Sequence, residues 1–137
     1  MTARDIELLK IRPQQIGTTS DQNSNDENFQ NKALRPILKL QNDLFNEIFI
    51  QYAIKNKKVF FSLDVSKKCD YIDYALVKDF KFRQFLIGLV IALLQSDEIK
   101  YYNLNSSNSN RRIISMLAER LKSNLQLLVL PNDTALL

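Results

Sequence analysis

The fold class predicted is all-α: a compact five- or six-helix bundle around a buried central helix, with an N-terminal arm. Three observations predict it. The 137 residues include only two glycines and three prolines, too little turn chemistry for the many short strands of an all-β domain. Apolar residues recur at helical spacing in several separate segments. Ser and Asp precede several of those segments, where a side-chain oxygen accepts from the amides that a helix start leaves unpaired. With 45% hydrophobic and 25% charged residues, the chain has a globular composition and the length of one domain.

The first segment, ARDIELLKIRP, is expected to form a short amphipathic turn or two with Asp5 as N-cap, ended by Pro13. The polar stretch QQIGTTSDQNSNDE follows, with the composition of a mobile linker. Residues 1–23 are thus an arm and linker, 24–131 one helical domain and 132–137 a tail. Ser24 and Glu27 have capping-box spacing. Pro36 predicts a break or kink, followed by a long helix to about Asn56. On it Leu34, Ile37, Leu38, Leu44, Phe45, Ile48, Phe49 and Tyr52 form the core face.

Ser66 is the expected cap of a helix burying Cys69, Ile72, Ala75 and Leu76, and Asp79 that of the next. Ser96 or Asp97 starts a brief helix through Tyr102, and NSSNSN breaks the chain. The last helix carries Ile113, Ile114, Leu117, Ala118, Leu121, Leu125 and Leu128, and Pro131 closes it.

The central helix is assigned from KFRQFLIGLVIALLQ, where residues 85–94 are continuously apolar. Ten helical residues rise roughly 15 Å, about half the hydrocarbon thickness of a bilayer, so the segment cannot span one. A helix apolar on every side needs cover on every side, and Gly88 is read as the place of a close helix crossing.

The chain has no histidine, which removes the commonest general base, Ser-His and Cys-His pairs and most zinc sites. No GxxxxGK[ST], GxGxxG, CxxC or EF-hand loop is present, so no cofactor and no metal are expected. Enzyme chemistry is disfavoured and no catalytic residue is assigned. Asp43 with Glu47, and Asp70 with Asp73, read as solvated surface. The lone Cys69 and the absence of an apolar leader fit the cytoplasm.

The most suggestive run is NSSNSNRRI. Ser106, Ser107, Arg111 and Arg112 are the expected anion-binding set, with hydroxyls and amides at a helix start beside two arginines. Net charge is +4, so nucleic acid or a phosphate ligand is the alternative partner. Leu40, Ile50 and Ile54 fall on the back of the long helix. Together with Ile6, Leu9 and Ile11 of the arm they form an expected interface, in which one copy's arm crosses to the other in a homodimer.

Through MTARDIELLKIRP, LRPILKLQNDLFNEIF, DFKFRQFLIGLVIALL and NSSNSNRRIISMLAERL, the chain resembles, over nearly its full length, a group of small, mainly helical bacterial proteins, some labelled glyoxalase. The resemblance implies an all-helical fold and assigns no functional residue. A glyoxalase-like lyase would lack the His ligands of metal-dependent glyoxalases, since the chain has no histidine. The expected function is a non-enzymatic helical interaction module that self-associates.

Overall fold

The computed structural model describes residues 1–12 and 15–131; Pro13 and the tail at 132–137 lie outside them. The described residues are all-α, with no strand among them. The helices are α1 (Ala3–Ile11), α2 (Asn25–Phe29), α3 (Arg35–Leu40), α4 (Asn42–Lys55), α5 (Val65–Lys78), α6 (Phe80–Ile91), α7 (Ser96–Leu104) and α8 (Ser106–Ser123). A π turn (Gln30–Leu34) joins α2 to α3, giving six helical rods beside the arm helix. Helices α5, α6 and α8 pack on one another, and α4 and α7 also pack on α8. No helix among the described residues is long and apolar enough to cross a membrane.

Helix α1 starts earlier than its sequence suggests. Thr2 Oγ1 accepts from the Asp5 N–H at 3.1 Å, and Asp5 Oδ2 accepts from the Thr2 N–H at 3.2 Å. Thr2 is therefore the cap and Asp5 its reciprocal partner. The polar stretch after the arm is fastened rather than loose. Asn28 bonds Ser20 through both its amide atoms, Asn31 Nδ2 donates to the Thr18 carbonyl at 3.1 Å, and the Ile16 N–H donates to the Asn31 carbonyl at 3.0 Å. Asparagine amides here supply the cohesion that apolar side chains supply elsewhere. Gly17 has φ +86°, and a Cβ there would lie 2.9 Å from the Asn31 side chain.

Ser24 caps α2, its hydroxyl accepting from the Glu27 N–H at 3.1 Å. The expected distortion at Pro36 takes the form of the π turn just before it, where the Arg35 N–H reaches back to the Gln30 carbonyl. The long helix expected beyond Pro36 is broken at Gln41 (φ −96°, ψ 11°). The buried face of α4 consequently consists of Phe45, Asn46, Phe49, Ile50 and Ala53, and Leu44, expected inside, is 41% exposed.

Four further boundaries differ from expectation. Asp64, not Ser66, caps α5, accepting from the Lys67 N–H at 2.9 Å. Gln95 precedes α7, and the Glu98 carboxylate accepts its N–H at 2.8 Å. The run NSSNSN lies mostly inside α8, because one turn residue, Asn105, suffices to separate it from α7. At its other end α8 stops at Asn124, well before Pro131. Asp79 caps α6 as expected, accepting from the Phe82 N–H at 3.3 Å.

Helix α6 is not the buried central helix. Its Phe82, Leu86, Ile87 and Val90 are buried, while Gly88 is exposed and Phe85 is 52% exposed. Helices α5 and α8 pack on it, and the side that carries Phe85 and Gly88 stays exposed. Nor does Gly88 mark a close crossing: a Cβ there would meet nothing within 4 Å. Gly88→Ala is therefore expected to raise stability by about 1 kcal/mol through helix propensity alone, a melting-point gain of roughly 3 °C by calorimetry. An unchanged or lowered midpoint would refute the open-face reading.

Helix α1 docks on its own chain at the corner between α6 and α7. Arg4 donates to the carbonyls of Ala92 and Leu94, each at 2.5 Å. Asp5 Oδ1 accepts from the Ser96 N–H at 2.9 Å. Arg12 grips Glu98 with both guanidinium branches and also donates to the Lys32 carbonyl at 2.9 Å. The arm is thus part of the packed domain, and Leu8 is its one buried apolar residue.

Candidate functional site

The ends of α4, α5 and the start of α6 converge on Tyr52. Its hydroxyl donates to Asp79 Oδ2 at 2.7 Å, and its ring stacks on Phe82 with centroids 3.9 Å apart. Asp79 is positioned because it also caps α6. Phe82 is buried, so one face of Tyr52 is anchored in the core. Two hollows open on either side of this ring. The first, of about 320 Å³, lies between α4 and α6 and is lined by Ile48, Gln51, Lys55 and Phe85 besides the stacked pair. The second, of about 600 Å³, lies between the end of α4 and α5, with Val59, Leu63, Lys67, Tyr71 and Tyr74 among its walls.

The connection beneath the second hollow is strained. Lys57 and Lys58 both have left-handed backbones, φ +67° and +61°, and each L residue held there costs of order 1 kcal/mol. They turn the chain sharply from α4 into the 3-10 turn (Val59–Ser62), which brings Phe60 edge-on to Phe49 at 5.1 Å. Together with Phe82 and Tyr71, these rings form a rigid aromatic base under the groove.

Burial, followed by the hydrogen bond to the Asp79 carboxylate, pushes the Tyr52 phenol well above the ordinary tyrosine range. Burial and the same carboxylate raise Tyr71. Both phenols stay neutral at physiological pH, and Tyr52 acts as a donor. The groove offers apolar shape, a hydroxyl donor and lysine cations, a set suited to holding a ligand.

The sequence-assigned residues are distributed differently. Ser106 and Ser107 are exposed in the first turn of α8, and Arg111 and Arg112 follow in its next turn. Arg111 lines a separate hollow of about 260 Å³ with Arg83, Asp73 and Glu119, whereas Arg112 is outside that lining and exposed. The four are therefore not gathered around one cavity. Of the expected interface, Ile6, Leu9 and Ile11 are about half exposed and Leu40 is 38% exposed. Ile50 is buried and Ile54 packs against the core, so the back of α4 does not present the free apolar face expected for a partner's arm. The re-phasing of α4 after Gln41 is the reason.

Asp43 and Glu47 are exposed. Asp73 pairs with Lys122 at 2.7 Å, and Asp70 lines the second hollow. Among the described residues no group of three His, Cys, Asp or Glu could hold a metal ion. Sequence reasoning placed Tyr52 on the core stripe and missed the groove. Of its aromatics, Tyr74 and Phe85 are 70% and 52% exposed, and Phe85 sits in a run without polar residues, whose helical phase the sequence does not reveal. No family model, no curated protein and no solved structure matches the chain.

Proposed function

We propose that this protein is a non-enzymatic interaction module that seats an acidic, amphipathic segment of a partner protein in the Tyr52 groove. The carrying observation is the pair of hollows sharing one wall, with apolar floors and a lysine in each. Apolar anchors of a bound segment would fill the hollows, and its carboxylates would meet Lys55 and Lys67. Phe85 and Tyr74 already stand exposed for such contacts, as expected of an aromatic recognition surface. Single-stranded nucleic acid is the weaker occupant. One face of Tyr52 is taken by Phe82, which leaves that ring a single face on which a base could stack.

Fluorescence polarisation tests the reading with three labelled probes: a Leu/Phe/Glu amphipathic helix, the same helix with Lys in place of Glu, and mixed single-stranded RNA. The acidic helix is expected to bind best, and Phe85→Ala or Lys55→Glu to weaken it about tenfold, equivalent to about 1.4 kcal/mol. No preference for the acidic helix, or salt-steep RNA binding that Lys55→Glu abolishes, would overturn the proposal. Self-association makes a second copy the partner, and the exposed Ile6, Leu9 and Ile11 favour it; sedimentation across a concentration series would detect it.

A further inference from the structure

Arg120, in the last turn of α8, is half-buried and poorly served. Its hydrogen-bond acceptor among the described residues is Asn42 Oδ1 at 3.5 Å, an oxygen that Asn124 Nδ2 already reaches at 3.1 Å. Among the described residues no carboxylate oxygen lies within 4.0 Å of Arg120 or Lys39. What faces Arg120 instead is more positive charge. Burial, and after it the neighbouring Arg35, push its pKa below the usual arginine value. Lys39 stands four residues after Arg35 on α3, which puts both on one helix side. A guanidinium drawn partly out of water normally gains a carboxylate; this one gains the Arg35 cation.

Arg120 and Lys39 border a hollow of about 510 Å³, lined also by Asn42, Asp43, Ser123 and Asn124. Every lining side chain is polar. We propose that this hollow binds a phosphorylated polyhydroxy small molecule, its phosphate held by Arg120 and Lys39 with Arg35 beside them, and its hydroxyls by Asp43, Asn42 and Asn124. A phosphate dianion supplies the missing acceptor and relieves the repulsion between Arg120 and Arg35. The Asp43 carboxylate opposes a second anionic group but accepts readily from hydroxyls. No aromatic or aliphatic wall is present to receive a nucleobase, which selects a sugar-like body. The site lies on α3, α4 and α8, away from the Tyr52 groove, and stands independently of it.

Isothermal titration of the full chain with glucose 6-phosphate, inorganic phosphate and glucose tests the assignment. Glucose 6-phosphate is expected to bind more tightly than inorganic phosphate, and glucose not measurably. Arg120→Gln should weaken the sugar phosphate at least tenfold. Lys39→Gln, at an exposed position where folding is not at risk, should weaken it several-fold. Arg111→Ala with Arg112→Ala should leave it unchanged. The proposal is overturned if the sugar phosphate fails to bind, if it binds no better than inorganic phosphate, if Lys39→Gln has no effect, or if the Arg111 and Arg112 pair of substitutions removes binding.

Discussion

Glu98→Ala is expected to cost about 3–5 kcal/mol, the usual loss when one member of a buried ion pair is removed and the other stays behind uncompensated. The side chains of Arg12 and Glu98 are only 7% and 5% exposed. Arg12 Nη2 reaches Glu98 Oε2 at 3.1 Å while Nη1 serves the other oxygen. The same carboxylate accepts the Gln95 N–H ahead of α7, so its loss also uncaps a helix start. Arg12→Ala should be comparably damaging and should release α1, seen as faster hydrogen exchange over residues 3–11. Replacing both partners, as in Arg12→Met with Glu98→Leu, should recover most of the loss, because no isolated charge then remains buried. Urea unfolding of the three variants decides it: single-variant losses below about 1 kcal/mol would show that the pair is not the clasp of the arm.

Acid should loosen the same corner. The Ser96 backbone N–H, opposed by burial and aided by Thr2, holds the Asp5 carboxyl below its ordinary value. A depressed folded-state pKa gives stability that is present above the unfolded pKa and lost as the pH falls through the folded one.

Phe49→Ala is expected to cost about 3–5 kcal/mol, the range for removing a fully buried phenylalanine and leaving a cavity. Phe49 is 1% exposed and its ring neighbours those of Tyr52, Phe60, Tyr71 and Phe82. The rings around it are held by the strained Lys57–Lys58 turn and the Asp79 cap, so the site has little freedom to collapse into the gap. Binding at the Tyr52 groove should fall together with stability. Phe85→Ala provides the contrast: at 52% exposure it should change stability by no more than about 0.5 kcal/mol while weakening the acidic probe. Equal destabilisation by the two substitutions would place Phe85 in the core and remove it from the groove.

Much of the helical order was readable residue by residue. Asp79 and Ser24 are caps because their side-chain oxygens act on amides three residues away, an interaction contained in the local sequence. The apolar positions of α5 and α8 were legible for a similar reason. Ile72, Ala75 and Leu76, and Ile113, Ile114, Leu117, Ala118 and Leu121, alternate with polar residues at a period that marks the buried side. The groove was not legible. Its walls come from α4, α5 and α6 together, and neither Tyr52 nor Phe82 differs in sequence pattern from an ordinary core residue.

By itself the sequence determined the all-α class that the described residues show, the starts of α2 and α6, and that residues 85–94 are too short to span a bilayer. Each of these follows from local hydrogen bonding, periodicity or length. Tertiary structure alone decided which side of that uniformly apolar helix stays open, since a run without polar residues carries no phase information, and packing against α5 and α8 supplied it. It also decided that the arm is clasped by Arg4, Asp5 and Arg12, because the partners of those charges are backbone and carboxylate groups more than eighty positions away. The gathering of Arg35, Lys39 and Arg120 has the same origin: charges that look solvated on separate helices become neighbours only when α3 and α8 are brought together.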